Sequence, residues 1–235
     1  MKAVSRWLYD CLSHMVLIVG WLWAYYIFRI KNKVEIIGRE NIPHSTNALF
    51  LSNHQTLIDS FLIGLVTVSF WETLFHPERI PWNAPDRTNF LTHRVWKHLF
   101  QLLKNVPVER KITNLETINH QVELFCEALT GSNLLLFFEG TRTRNGDIGE
   151  CRPGVSETIR LAKPRFVVPI LLEDIQVIMP IEVGFSYKGI SGGHKGRIVI
   201  GQPIDFSDLD MSGRVRKEIG HRVRQAVIDL KTHRQ

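Results

Sequence analysis

Residues 48–66 read ALFLSNHQTLIDSFLIGLV, and the passage from the first five of these to the last eleven decides the fold. Ala48–Ser52 is an apolar run that follows the turn chemistry of NIPHSTN (41–47), which predicts a buried strand. Thr56 to about Phe70 is apolar enough for a buried helix. The residues between carry a second message. Thr56-x-x-Asp59 resembles a capping box, with Thr56 at the N-cap and Asp59 at N3, and that accounts for Asp59 as part of a helix start. It does not account for Asn53 and His54, which stand where a strand of an α/β sheet ends and ligands bind. The turn brings His54 over the first helical turn, within reach of the Asp59 carboxylate. On spacing alone, a helix cap and a catalytic His/Asp pair both stay open.

The same alternation continues outward. KVEIIG (33–38), VPV (106–108), LLLFF (134–138), FVVPILL (166–172) and VIMPIEVGF (177–185) read as strands. A helical pattern covers 90–104, after a loop over 76–88 that carries three prolines. Another covers 113–131, where Thr113-x-x-Glu116 is a capping box, Ile118, Val122, Phe125 and Leu129 face inward, and Gly131 is the stop. The tail 210–230 is amphipathic, with Val215, Ile219, Val223, Val227 and Leu230 inward and Arg214, Lys217, Arg222 and Arg224 outward. Strands alternating with helices at these lengths predict an α/β fold, with a mixed, largely parallel sheet flanked by helices.

The chain has 235 residues and a formal charge of +6, which suits one main core and favours anionic partners. It lacks the signatures of nucleic-acid binding, so none is expected as a partner. Cys11, Cys126 and Cys151 are far apart and lack ligand spacing, so neither a disulfide framework nor a metal site is expected. Residues 15–28, MVLIVGWLWAYYIF, carry no charge and are flanked by Lys2 and Arg6 and by Arg29, Lys31 and Lys33. The run is apolar all round and no small-residue cleavage site follows it, which predicts a membrane-associated helix that spans the bilayer or lies in its interface. Residues 1–32 are therefore read as a membrane-anchoring helical segment and 33–235 as the main domain. The domain is placed at the inner, cytoplasmic face because it follows the denser basic cluster.

The chemistry gathers at strand ends. Imidazole accepts a proton near neutral pH, and an aspartate fixes its tautomer. The chain has no G-x-S-x-G elbow and no cysteine beside a base, so a His54/Asp59 pair would activate a nucleophile that belongs to a substrate. In FFEGTRT (137–143) Gly140 permits a tight turn, while Thr141 and Arg142 offer a hydroxyl and a guanidinium fork suited to phosphate. VPVER (106–110) presents Arg110 at another strand end.

These blocks, in this order over 34–205, resemble the glycerolipid acyltransferases of the 1-acylglycerol-3-phosphate acyltransferase type. N-H-x(4)-D appears as Asn53, His54 and Asp59; the arginine after a short strand as Arg110; E-G-T-R as Glu139, Gly140, Thr141 and Arg142; and the V-P-I strand as Val168-Pro169-Ile170. Phe138 stands where the family usually has proline, and the stretch 76–100 leans towards the tafazzin-like branch. The resemblance implies that His54 is the base and Asp59 orients it. It also implies that Asn53, Arg110, Glu139, Gly140, Thr141 and Arg142 shape the acceptor site. The activity implied is acyl transfer from acyl-CoA or acyl carrier protein to a lysophospholipid hydroxyl, giving phosphatidic acid from 1-acylglycerol-3-phosphate, with no cofactor beyond the co-substrate. The rivals are a hydrolase, a phospholipid transacylase and a catalytically silent membrane lipid-binding homologue.

Overall fold

β2 (Ala48–Ser52) is buried at every residue, a condition that only a strand covered on both faces can meet. The computed structural model describes residues 2–85, 102–108, 115–143, 147–180 and 189–232. Within them β2 lies inside a six-stranded sheet completed by β1 (Lys33–Ile37), β3 (Trp82–Asn83), β4 (Leu134–Phe137), β5 (Phe166–Glu173) and β6 (Lys195–Ile200). The order is β1-β6-β5-β2-β4-β3, and every pair is parallel except β5 with β6. The expected mixed, largely parallel sheet is the one found.

Side-chain alternation sorts two apolar layers. Ala48, Phe50, Leu135, Val168, Ile170 and Leu172 enter one, and Leu49, Leu51, Leu134, Leu136, Val167 and Leu171 the other. α1 (Lys2–Tyr25) and α2 (Asp59–Thr67) cover the first layer. The second is covered by α4 (Leu115–Gly131), α5 (Pro153–Ala162) and α6 (Arg216–Asp229). In α4, Val122, Phe125 and Leu129 are buried, and in α6, Ile219, Val223 and Val227 are, as their spacing predicts. Gly38 closes β1 at φ 74°, and a Cβ there would stand 2.1 Å from the Ile200 carbonyl oxygen.

Several expectations need correction. The apolar run from Thr56 to Phe70 is not one helix. Regular helix begins at Asp59, stops at Thr67, and restarts as α3 (Phe70–Phe75). Val68 is extended, and the Ser69 hydroxyl accepts the Glu72 N–H while the Glu72 carboxylate accepts the Ser69 N–H, a full capping box inside a stretch that reads as continuous. Residues 177–180 form a turn rather than a strand, with Ile178 and Met179 pointing into the core; 181–185 lie outside the described residues. Residues 105–108 do not form a regular strand but follow 83–85 through an isolated parallel bridge and two N–H bonds. Of the helix expected over 90–104, residues 90–101 lie outside the described residues, as do Thr113 and Arg110. β3 and α5 are additions, although Pro153 at the first helical position is a start signal.

Residues 1–32 are joined closely to the domain. α1 continues as a π-helical stretch, Tyr26–Lys31, and Ala24, Ile27 and Phe28 belong to the first core layer. The indole of Trp21 donates to the Val68 carbonyl at 3.0 Å, and Trp23 meets Phe61 edge to face. The span Trp7–Lys31 is long and apolar enough to cross a membrane.

At the start of α3, burial pulls the Glu72 carboxyl upward. Hydrogen bonds from the Ser69 N–H and from His44, with Arg79 beside it, outweigh this and carry it from 4.5 down to about 2. A carboxyl lowered by folding stabilises above its unfolded value and loses that contribution as pH falls through the folded one. Urea unfolding at pH 5 and at pH 2.5 therefore shows a loss of stability in the native chain that is smaller in Glu72→Gln.

Candidate active site

β2 and β4 are neighbours in parallel register, with Ser52 opposite Phe137. That pairing sets Asn53 and His54 beside Phe138 and Glu139, so the two motifs read 85 residues apart in the sequence meet at the C-terminal ends of adjacent strands. Each strand end is tied down before any side chain faces outward. The Asn53 amide donates to the Leu172 carbonyl at 2.9 Å and accepts the Leu172 N–H at 2.7 Å, clamping the end of β2 to β5. The Gln55 side chain accepts the Ile175 N–H.

Asp59 is fully buried, and its carboxylate organises the loop. Oδ2 accepts from His54 Nδ1 at 2.9 Å, from the Gln55 N–H at 2.6 Å and from the Thr56 N–H at 2.8 Å; Oδ1 accepts the Thr56 hydroxyl at 2.5 Å. The Thr56 hydroxyl in turn accepts the Ile58 N–H. Only half of the capping box expected of Thr56 and Asp59 is present: the Asp59 carboxylate accepts the Thr56 N–H, but the Thr56 hydroxyl accepts the Ile58 N–H instead of that of Asp59, and Ile58 rather than Thr56 precedes the regular helix. Because the carboxylate only accepts, Nδ1 of His54 carries the proton and Nε2 presents a lone pair in the neutral ring. Nε2 has no partner among the described residues. The imidazole lies flat on the Phe137 ring, centroids 3.9 Å apart and planes 12° from parallel, so its swing is blocked on that face.

Glu139 is buried and turned inward. One oxygen accepts the His54 N–H at 3.2 Å and the other the Gly149 N–H at 2.9 Å, while burial pushes its carboxyl above the ordinary carboxylate range. The His54 carbonyl accepts the Thr143 N–H at 2.9 Å, closing a second tie between the two loops. Gly140 has φ 67°, the left-handed turn for which the glycine is suited. Thr141 is exposed and Arg142 half-buried, both beyond this turn. Arg110 lies outside the described residues, but the chain leading to it, 105–108, runs parallel to β3 towards the same strand ends.

The structure therefore brings His54, Asp59, Asn53 and the 139–142 turn together. It distinguishes their work: Asn53 and Glu139 hold backbone, Asp59 orients the imidazole, and Thr141 and Arg142 stand beyond the turn. Gly149 and Arg152 belong to the same assembly and are missed by motif reading. The Arg152 N–H bonds the Phe138 carbonyl, and the R-P-G helix start at 152–154 is the signal that could have drawn attention to it.

Comparison with known proteins shows the family of the chain. The acyltransferase family model matches residues 33–173. The chain is 26% identical over 193 residues to the chloroplastic 1-acyl-sn-glycerol-3-phosphate acyltransferase of Arabidopsis thaliana, covering 81% of this chain and 49% of that protein. It is equally similar to its counterpart in Brassica napus, with 81% and 50% covered. The chain thus spans about half the length of the curated relatives it matches. The solved 1-acyl-sn-glycerophosphate acyltransferase of Thermotoga maritima superposes with a TM-score of 0.60 at 17% identity over the whole of both chains, a likeness of fold.

Asp59→Asn tests the orienting role. An amide offers one acceptor and a donor where four donors converge, which costs about 3 kcal/mol or more. Chemical denaturation should show that loss, and ¹⁵N shifts of the His54 ring should show a mixture of tautomers in place of one.

Proposed function

The chain belongs to the acyltransferase family, and from that premise we propose that it transfers an acyl chain from a thioester, acyl-CoA or acyl carrier protein, to the free hydroxyl of 1-acylglycerol-3-phosphate, giving phosphatidic acid. The observation that carries this reading is the His54–Asp59 pair, whose Nε2 has no partner among the described residues, in a sequence without a G-x-S-x-G elbow. Nε2 takes the proton of the acceptor hydroxyl as its oxygen attacks the thioester carbonyl. A C–O bond forms, the C–S bond breaks, and the thiolate leaves with the proton from the imidazolium. No metal or organic cofactor enters these steps. The names of the plant relatives and of the Thermotoga protein support the lysophosphatidate acceptor.

An oxyanion needs donors that folding leaves free. The N–H groups of Gln55, Thr56, Ile58, Gly140 and Thr143 are all engaged internally. The N–H groups of Leu57 and Thr141, in the same two loops, are candidates for this role. Arg110 and Arg142 hold the acceptor's phosphate, which turns binding energy into orientation of the attacking oxygen.

The substrates are lipids, and α1 brings the site to them. Its inner side is committed to α2 and α3, through Trp21, Trp23 and a bond between His14 and the Thr73 carbonyl. Its outer side exposes Leu8, Met15, Val19 and Leu22. A helix so placed has one side for lipid and rests along the membrane surface.

Purified protein with labelled acyl-CoA or acyl carrier protein and a panel of lysolipids should give labelled phosphatidic acid from lysophosphatidate, and His54→Ala should lower the rate by about 10³-fold or more. Acyl release without an acceptor would mark a hydrolase, transfer from intact phospholipid a transacylase, and no turnover with any donor would defeat the reading. In vesicle flotation, Met15→Asp with Val19→Asp should shift the protein from the lipid fraction to the aqueous one without changing its melting temperature.

A further inference from the structure

We propose that Arg152, which lies outside the sequence motifs, is a phosphate anchor of this site; the proposal deepens the reading above, since it assigns a further residue to the acceptor. The Arg152 N–H donates to the Phe138 carbonyl at 2.8 Å and its Nε to the Glu139 carbonyl at 3.0 Å, so the arginine is strapped across the turn that follows β4. Gly140 makes room for it. A Cβ at that position would stand 3.0 Å from Arg152 Cγ and 3.2 Å from Nε. The glycine therefore serves the arginine as well as its own left-handed backbone.

Once Nε is held, the two terminal nitrogens of the guanidinium remain, and the residue is exposed. Among the described residues no carboxylate pairs with them. The nearby acids are engaged elsewhere: Glu139 accepts N–H groups from His54 and Gly149, and Glu150 lies 3.5 Å from Arg224. α5, which begins at the next residue, has no acidic residue in its first turn, so nothing there repels an anion. A guanidinium fixed through Nε and offering its remaining edge is pre-organised for two phosphate oxygens. The site it borders is the one that holds His54, through the bond from the His54 N–H to Glu139.

Phosphate is present in both substrates, on the acceptor and on coenzyme A, and the position beside the 139–142 turn favours the acceptor. The test uses full-length protein and two readouts. In a His54→Ala background, calorimetric binding of lysophosphatidate in detergent should weaken by about tenfold on Arg152→Gln. Binding of monoacylglycerol, which lacks the phosphate, should not change. In turnover, Arg152→Gln should raise KM for lysophosphatidate by a similar factor and leave KM for acyl-CoA within about twofold. Arg152→Lys, which keeps the charge without the fork, should fall between, and matched melting curves establish that all variants are folded.

Unchanged lysophosphatidate binding overturns the proposal. So does a change confined to KM for acyl-CoA, or an equal loss for monoacylglycerol, which would mark a purely structural strap. If the native chain acylates nothing yet its lysophosphatidate binding still depends on Arg152, the anchor stands and the acyltransfer reading falls.

Discussion

The buried carboxylate of Asp59 accepts four hydrogen bonds, from one imidazole, two backbone N–H groups and one hydroxyl, and the geometry of the site depends on it. A carboxylate without access to water is costly unless its lone pairs are filled, and here the donors that fill them are also the parts that need placing. The loop after β2 is wrapped around Asp59, the helix begins there, and the imidazole is held with Nδ1 protonated. Ordering the loop before the helix and orienting the imidazole are one arrangement of the same oxygen atoms.

Around that centre the structure repeats one device, a polar side chain bonded to the backbone of another strand end. Asn53 clamps β2 to β5, Glu139 joins the β4 turn to His54 and Gly149, and Arg152 straps that turn to α5. All of these bonds run from one side chain to backbone groups, so they fix the loops at the strand ends. The stacking of His54 on Phe137 closes the remaining freedom of the ring.

How far the sequence could be read varies with the range of the interaction that decides each feature. β2, β4, β5 and the inner faces of α4 and α6 are legible because period-2 and period-3.6 patterns record burial locally. The break at Val68–Ser69 was legible in principle, since Ser69-x-x-Glu72 is a capping box, but the apolar residues on both sides hid it. Residues 177–180 show the reverse error: an apolar run that is buried as a turn, because Ile178 and Met179 fill the core layer under α1 rather than a place in the sheet. β3 is two residues long and exists only because β4 offers an edge beside it.

By itself the sequence determined the α/β class, the two-sided core, and the membership of His54, Asp59 and the 139–142 turn in one ordered set of motifs, because residue type and local spacing carry that information. Only the tertiary structure decided that Asn53 and Glu139 bind backbone, that α1 is packed against α2 and α3, and that Arg152 lies across Gly140. Each of these joins segments distant in the chain, through the register of neighbouring strands and the approach of one loop to another. Such contacts leave no period in a sequence, since they depend on where the chain returns rather than on what stands beside a residue.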